Sequence, residues 1–160
     1  SLSHRFLDFD ARLFEKWHLD LYRKASPLVW RFSFDFWGVE GAVERVCALF
    51  HREGMMNRHK VTIFALVGFG EGMEKDIARV QRIAELGAYP FVMRYVPLDS
   101  LDKRPPAKGW DRPSEISQFT RFYNLPKVWT SSNAHDGLER WMKRIKPARV
   151  VNKQQLSLIE

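Results

Sequence analysis

Apolar runs separated by turn residues recur along the chain and predict a repeated strand–helix unit. The run Val61–Val67 is apolar and rich in β-branched residues with almost no alternation, which is typical of a strand buried on both faces. A glycine-rich turn follows at residues 68–72, and an apolar stripe with a 3.6-residue period then predicts a helix that ends at Gly87. The chain around this unit repeats the same pattern.

The same rules predict three further strands, at residues 5–9, 28–34 and 91–96, and helices at residues 10–24, 39–53 and 114–123. In the first helix, Leu13, Trp17 and Leu21 recur at i, i+4 and i+8, which predicts an amphipathic helix with these residues on its apolar face. Ser114 is the predicted N-cap of the helix at residues 114–123. A loop rich in proline and basic residues precedes it.

The later strands start roughly thirty residues apart, the length of one βα unit, and this spacing predicts a parallel sheet with helices packed outside it. Two α/β architectures fit: an arc of a partial βα barrel with about four parallel strands, and an open doubly wound sheet. Polar positions on the strands favour the arc, because there they line a ligand cavity. These positions are Asp8 or Asp10, Arg31, Ser33, Asp35, Thr62 and Arg94. We predict a barrel-like unit at residues 1–99 and a loop and helical extension at residues 100–160 that packs on it, as a single structural unit.

Composition narrows the class of protein. With 160 residues, 45% of them hydrophobic, the chain can bury one core, and no apolar run approaches the length of a membrane span. Charged residues interrupt the N-terminal apolar runs, so no signal peptide is predicted, and we expect a cytoplasmic protein without a membrane partner. The lone Cys47 lies in an apolar helical stripe and is interpreted as a core thiol.

The chain has a formal net charge of +7, and much of the excess lies between residues 140 and 153. A helix that opens at Ser132 or Asn133 and stops at Pro147 is predicted to carry most of these bases, with its apolar residues on one face and its bases on the other. The basic face is either solvated or a phosphate-tracking surface that binds nucleic acid. Its candidate contacts are Arg140, Lys143, Arg144 and Lys146.

Parallel α/β proteins bind ligands at the carboxyl ends of their strands, so the candidate positions are Asp35, the turn at residues 68–72 and residues 94–99. In the turn, glycines allow a ligand to approach the backbone, and Glu71 can accept hydrogen bonds from a ribose or an amine. Two alternatives stay open: the G-x-G-x-G is a plain tight turn, and Glu71 is a first-turn acid favoured by the helix dipole. The histidine spacing shows no metal motif, and the chain has no G-x-S-x-G elbow, which disfavours a serine hydrolase.

Four segments carry a resemblance to a known family: FDARLF at residues 9–14, WRFSFD at 30–35, IFALVGF at 63–69 and LGAYPFVMRY at 86–95. Together they resemble the second half of the radical S-adenosylmethionine proteins that are often called Fe–S oxidoreductases, and the last segment is the most specific match. The resemblance covers about residues 5 to 99 well and the remainder loosely. It implies a partial barrel of six βα units, in which a [4Fe–4S] cluster on a C-x-x-x-C-x-x-C loop cleaves S-adenosylmethionine to a 5′-deoxyadenosyl radical.

The chain departs from the family pattern at the cluster. It has one cysteine and no C-x-x-x-C-x-x-C, so it cannot supply the three thiolates that hold the iron. By similarity its first strand corresponds to the third strand of the full barrel. We therefore expect no cofactor in this chain alone, S-adenosylmethionine and a [4Fe–4S] cluster in the full-length protein, and the missing N-terminal half of the barrel as a partner, in the same chain or another.

Carried over position by position, the resemblance implies contacts with the nucleoside at three strand ends. Ser33 and Asp35 correspond to the end of the ribose-contacting strand, and Gly68, Gly70 and Glu71 correspond to the turn against the adenine, where the spacing of the match is compressed. Arg94 and Tyr95 correspond to the tip of the last strand. Arg31 is a further candidate contact with the substrate. The alternative, that the charged members form an interior ion-pair network, stays open.

Two functional hypotheses follow from these observations. In the first, the chain is the C-terminal portion of a radical S-adenosylmethionine enzyme, forms part of the nucleoside and substrate side of the barrel and is not catalytic alone. In the alternative, it is a cluster-free α/β module that binds nucleic acid or a protein partner through its basic C-terminal helix. A half barrel also exposes the edge of the strand at residues 5–9, so we predict a homodimer through that edge.

Overall fold

The computed structural model describes residues 5–24, 28–102 and 107–125 of the chain. In these ranges strands and helices alternate. The strands are β1 (Arg5–Asp8), β2 (Leu28–Ser33), β3 (Val61–Val67) and β4 (Tyr89–Arg94). The helices are α1 (Lys16–Tyr22), α2 (Glu40–Arg52), α3 (Met73–Glu85) and α4 (Pro113–Asn124), with a 3-10 turn at Trp37–Val39 before α2.

The strands form one parallel sheet in the order β1-β2-β3-β4, which confirms the predicted parallel sheet. Right-handed crossovers between neighbouring parallel strands place the intervening helices on the same face. The order has no reversal, so the described strands lack the switch point of a doubly wound sheet. The register aligns one row of side chains across the sheet: Asp8, Arg31, Thr62 and Tyr89.

The alternation of β3 shows which face the helices cover. Its residues Val61, Ile63, Ala65 and Val67 are fully buried, and the residues between them are only partly buried. The buried side chains belong to one core with the apolar faces of α2 and α3. Near β2 this core is a cluster of edge-to-face and stacked aromatic rings, namely Phe14, Trp30, Phe32 and Phe50.

The other face of the sheet is partly open, so the prediction that β3 is buried on both faces is wrong. We call this the open face; it carries Arg31, Thr62 and Phe64, which are partly buried, and Phe6, which is exposed. The alternation appears because no complete second layer covers these side chains within the described residues. Parallel sheets are normally covered on both faces, so the open face is unusual for this class of sheet.

Helix α1 differs most from its predicted form. It begins at Lys16, and its buried residue is Leu19. The predicted apolar face points away from the core instead: Leu13, Trp17 and Leu21 are 72%, 58% and 62% exposed. The reason is that Phe14, in the loop before α1, occupies the core position against β2, so the helix turns only its Leu19 side inward.

Strand β4 begins at Tyr89 rather than at residue 91 and therefore includes Pro90. Proline lacks an N–H, so a sheet tolerates it only where no ladder hydrogen bond is lost. Two residues further along, and on the same side of the strand, the N–H of Val92 points away from β3 and donates to Asn124 Oδ1 at 2.8 Å. An N–H at position 90 would likewise point away from β3, so the proline costs no hydrogen bond to β3.

Helix α4 packs along β4 with the predicted apolar side inward, since Ile116, Phe119 and Phe122 are buried. Its N-cap is Arg112 and its first helical residue is Pro113, so the predicted N-cap at Ser114 is wrong. The fixed φ of proline suits the first position of a helix, which explains the earlier start.

The two edges of the sheet differ. At the β4 edge, the Asn124 side chain accepts a hydrogen bond from the N–H of Val92 and donates one to its carbonyl, each at 2.8 Å. At the β1 edge, the N–H of Phe9 donates to the Arg31 carbonyl at 2.9 Å, so by alternation the backbone groups of Phe6 and Asp8 point outward. Within the described residues no strand pairs with that edge.

Candidate ligand-binding site

A cleft of about 380 Å³ lies at the carboxyl ends of β1 and β2, on the open face. Its walls come from the end of β1, the loop before α1, the end of β2 and Phe64 of β3. Its polar lining residues are Asp8, Asp10, Arg12, Arg31, Ser33 and Asp35. The volume lies in the range of small-molecule sites, and the position is the one at which parallel α/β proteins bind their ligands.

Arg31 is one of the two arginines that line the cleft. Its Nη2 donates to Asp8 Oδ2 at 2.6 Å, across the row that joins β1 and β2. Its guanidinium lies over the ring of Phe6, 4.6 Å from the centroid, and 5.7 Å from that of Phe64. Its Nε is buried and has no acceptor among the described residues. The side chain is therefore fixed on two sides, and it is 28% exposed, which leaves part of it accessible to a ligand.

Ser33 and Asp35 continue the polar side of β2 into the cleft. Ser33 is exposed at the last position of the strand. Asp35, one residue beyond the ladder's last partner Phe34, accepts a hydrogen bond from the N–H of Leu66 through Oδ1 at 3.0 Å. The structure thus brings Arg31, Ser33 and Asp35 together at one end of one strand.

The loop between β1 and α1 forms a rigid wall of the cleft. Asp10 accepts hydrogen bonds from the N–H of Arg12 at 2.9 Å and from its guanidinium at 2.6 Å. These bonds lower the pKa of Asp10 to about 2. Arg45 of α2 holds the loop from the other side, donating to the carbonyls of Phe14 at 2.9 Å and Ala11 at 3.0 Å.

The glycine-rich turn lies outside the cleft lining and is packed against the chain itself. Gly68 and Gly72 have φ values of +79° and +95°, which only glycine adopts readily. A Cβ on Gly109 would stand 2.3 Å from the Cα of Gly72, so the two backbones approach each other too closely for side chains. Gly70 has open space around it. Backbone conformation and packing therefore explain Gly68 and Gly72 but not Gly70, and a ligand role for Gly68 and Gly70 stays a prediction.

Glu71 takes part in a buried ion-pair network, the structural alternative that the sequence left open. Its Oε2 accepts a hydrogen bond from Arg79 Nη1 at 2.6 Å, and its side chain is 30% exposed. The partial exposure leaves one side of the carboxylate accessible. A contact between Glu71 and a nucleoside also stays a prediction.

Arg94 and Tyr95 lie at the end of β4, away from the cleft. The register pairs Arg94 with Val67, on the helix-covered face, so the expectation that Arg94 shares a face with Arg31 is wrong. The ring of Tyr95 packs edge-on against Phe69 at 4.8 Å, and its N–H donates to the Val67 carbonyl at 2.9 Å. Neither residue lines the cleft.

Asp76 and Arg79 of α3 are the residues at this end of the sheet that sequence reasoning missed. Both are 1% exposed, and Arg79 Nη2 donates to Asp76 Oδ1 at 2.8 Å. Burial raises the pKa of Asp76, although hydrogen bonds from Trp110 Nε1 at 2.8 Å and Gly68 N–H at 2.7 Å oppose the rise. A signal was present: both charges border the apolar stripe of α3, and they lie five and eight residues after Glu71.

The remaining sequence predictions concern metals, membranes and the basic segment. In residues 5–24, 28–102 and 107–125, no group of three or more potential ligands is arranged to hold a metal ion. Cys47 is buried, and burial raises its pKa to about 12. Over the same ranges no helix combines the length and the apolarity that crossing a bilayer requires. Arg140, Lys143, Arg144 and Lys146 lie outside the described residues.

Comparison of the chain with protein-family models, with curated protein sequences and with solved structures finds no match.

Proposed function

We propose that this chain is the C-terminal portion of a radical S-adenosylmethionine enzyme, and that its cleft forms part of the nucleoside and substrate side of a partial βα barrel. The observation that carries the proposal is the convergence of Arg31, Ser33 and Asp35 in one cleft at the carboxyl ends of parallel strands. The resemblance of the sequence segments to this family supplies the identity of the ligand, and the cleft supplies a place for it.

The chemistry of the lining residues fits a nucleoside. The Ser33 hydroxyl both donates and accepts, and a carboxylate accepts about four hydrogen bonds, of which the N–H of Leu66 takes one at Asp35. Such a pair suits the neighbouring hydroxyls of a ribose. Arg31, whose side chain is 28% exposed, can donate to an acceptor group of the ligand, and the rings of Phe36 and Phe64 line the cleft beside these polar groups. When bound, S-adenosylmethionine would supply the radical precursor, and these residues would orient its nucleoside.

The architecture supports a barrel arc over a flat sheet. The strand order has no reversal, the crossovers place α1, α2 and α3 on one face, and the opposite face carries the cleft. A βα barrel binds its ligand at the carboxyl ends of its strands, which is where the cleft lies. The open face is then the part of the barrel interior that this chain contributes.

The residues of this chain do not fit a [4Fe–4S] cluster. Three thiolates are needed, and the sequence has only Cys47, which is buried in the core. In the proposed enzyme the cluster is therefore bound by a portion other than these 160 residues. The proposal assigns this chain no role in electron transfer.

The coding sequence upstream of residue 1 tests the proposal. We expect it to encode C-x-x-x-C-x-x-C within the same reading frame or in a neighbouring one, and we expect the joined polypeptides to purify as a brown, oxygen-sensitive protein. A complete native reading frame for this chain, with no cluster-binding polypeptide that associates with it, would refute the proposal.

Titration with S-adenosylmethionine tests the cleft directly, with saturation-transfer NMR as the measurement. Asp35→Asn should weaken binding, because it removes a charged acceptor from the cleft. Asp20→Asn is the matched control, since Asp20 is an exposed acid on α1 that pairs with Lys16. Equal binding by the two variants would argue against a nucleoside at Asp35.

The proposed partner is the cluster-bearing half of the barrel, and the β1 edge is where it would join. The backbone groups of Phe6 and Asp8 point outward there, and no described strand pairs with them. Without that half, we expect the chain to form a homodimer through the same edge. Light scattering should show the dimer, and a monomer at all concentrations would contradict an available edge.

The alternative function, binding of nucleic acid or a protein through the basic segment, depends on Arg140 and its neighbours, which lie outside the described residues. It stays a prediction from charge. Binding to single-stranded or duplex nucleic acid with a steep salt dependence would favour it, and no binding at low ionic strength would exclude nucleic acid.

A further inference from the structure

Arg79 of α3 has a buried guanidinium that reaches the end of β2 but does not line the cleft. Arg79 is 1% exposed and donates to four oxygen atoms. Two are carboxylate oxygens, of Glu71 at 2.6 Å and Asp76 at 2.8 Å. The other two are backbone carbonyls, of Asp35 at 2.5 Å and Leu66 at 2.6 Å. A charge so deeply buried is tolerated only with such partners.

The two carbonyls belong to a place where the sheet ladder stops. The paired register of β2 and β3 ends at Ser33 and Phe64, and the last ladder-like bond joins the N–H of Phe34 to the Phe64 carbonyl at 2.8 Å. Asp35 therefore lies beyond the regular pairing. From this point Arg79 links the two strands, since it binds the carbonyl of Asp35, which lies beyond β2, and the carbonyl of Leu66, the last residue but one of β3.

Asp35 is held through both its backbone and its side chain. Arg79 binds its carbonyl, and the N–H of Leu66 binds its Oδ1 at 3.0 Å. Leu66 is in turn fixed by Arg79 through its own carbonyl. The direction of the Asp35 carboxylate in the cleft thus depends on a residue of α3 that is 44 positions away in the sequence.

We propose that Arg79 is a positioning residue for Asp35 and that, together with Asp76, it sets the geometry of the cleft from behind. The inference rests on the proposed function only for the identity of the ligand. Arg79 does not line the cleft, so it acts on the cleft through Asp35 and Leu66. Its planar fork reaches several oxygens at fixed angles, which a lysine ammonium cannot reproduce.

Amide hydrogen exchange by NMR on the full chain tests the proposal without a ligand. In Arg79→Lys the exchange of the Leu66 amide should rise about tenfold, the size expected for loss of one hydrogen bond's stabilisation. Coupling constants should show Asp35 in more than one χ1 rotamer. Amides in the middle of β3 should keep their protection. Arg82→Lys is the matched control, because Arg82 lies on the same helix and pairs with Glu44 of α2 instead.

Glu71→Gln provides a second variant if Arg79→Lys does not fold. It removes one charged acceptor of Arg79 at a side chain that is 30% exposed, so the fold should persist. We expect a smaller rise in Leu66 exchange of the same kind. Unchanged Leu66 exchange and an unchanged Asp35 rotamer would overturn the proposal, and so would a uniform rise across β3, which signals general destabilisation only.

Titration with S-adenosylmethionine separates this inference from the proposed function. Weaker binding by Arg79→Lys, about tenfold, with Arg82→Lys unchanged, supports both. If the wild-type chain binds none, the proposed function loses its support, and the exchange and rotamer measurements still decide whether Arg79 positions Asp35.

Discussion

The β4 edge of the sheet depends on one side chain, and we predict that Asn124→Ala destabilises the protein by about 1–3 kcal/mol. The Asn124 amide makes two hydrogen bonds with the backbone of Val92, each at 2.8 Å. Each is expected to contribute about 0.5–1.5 kcal/mol net, and the sum gives the stated range. Val92 is buried, so water cannot fully replace the lost partner. The range is a large share of the stability of an ordinary domain.

Urea unfolding of the full chain measures this loss of stability. If the Val92 amide exchanges through local opening of the β4 edge, the same loss should raise its exchange rate by roughly five- to 150-fold. Ser117→Ala is the control from the same helix, because its hydroxyl bonds only the Pro113 carbonyl in the preceding turn. We expect that variant to stay within about 0.5 kcal/mol of wild type. An Asn124→Ala protein that matches the control in stability and in Val92 exchange would refute our account of how the edge is closed.

Three further predictions follow from local environments. Arg12 lowers the pKa of Asp10 from 3.8 to about 2, so ionised Asp10 stabilises the folded state above pH 3.8 and loses that effect as the pH falls to about 2. In Arg12→Gln, carbon NMR should show the pKa of Asp10 returning toward 3.8. Phe14→Ala should cost about 3–5 kcal/mol in urea unfolding, whereas Trp17→Ala, on the exposed face of α1, should change the stability of the monomer by less than about 0.5 kcal/mol; similar losses would contradict the orientation of α1. Cys47 should react with a thiol reagent only after unfolding, since burial raises its pKa to about 12, and rapid labelling of the native protein would contradict its place in the core.

The sequence determined the parallel sheet and one end of the candidate site. Strand and helix signals alternate at the length of a βα unit, and few topologies other than neighbouring parallel strands agree with right-handed crossovers. Once the strands are parallel, side chains at the end of β2 must gather at one edge of the sheet. Arg31, Ser33 and Asp35 could therefore be named as neighbours of a cleft before the structure was known, because they are two residues apart on one strand.

Other features depended on contacts between distant parts of the chain. The periodicity of α1 shows an apolar face but not which face meets the sheet, and that depends on Phe14, which occupies the core position against β2. The face of Arg94 depends on the register between β3 and β4, which residue-by-residue alternation alone does not fix.

The Arg79 network shows the limit most clearly. Two charges on a helix are expected to be solvated, and these are buried because their partners arrive from the ends of β2 and β3, the glycine-rich turn and Trp110. Local pattern governs which segments become strands and helices, since it depends on neighbours in the sequence. Whether a charge can be buried is decided only by tertiary structure, because the oxygens that stabilise it come from residues that the fold brings together.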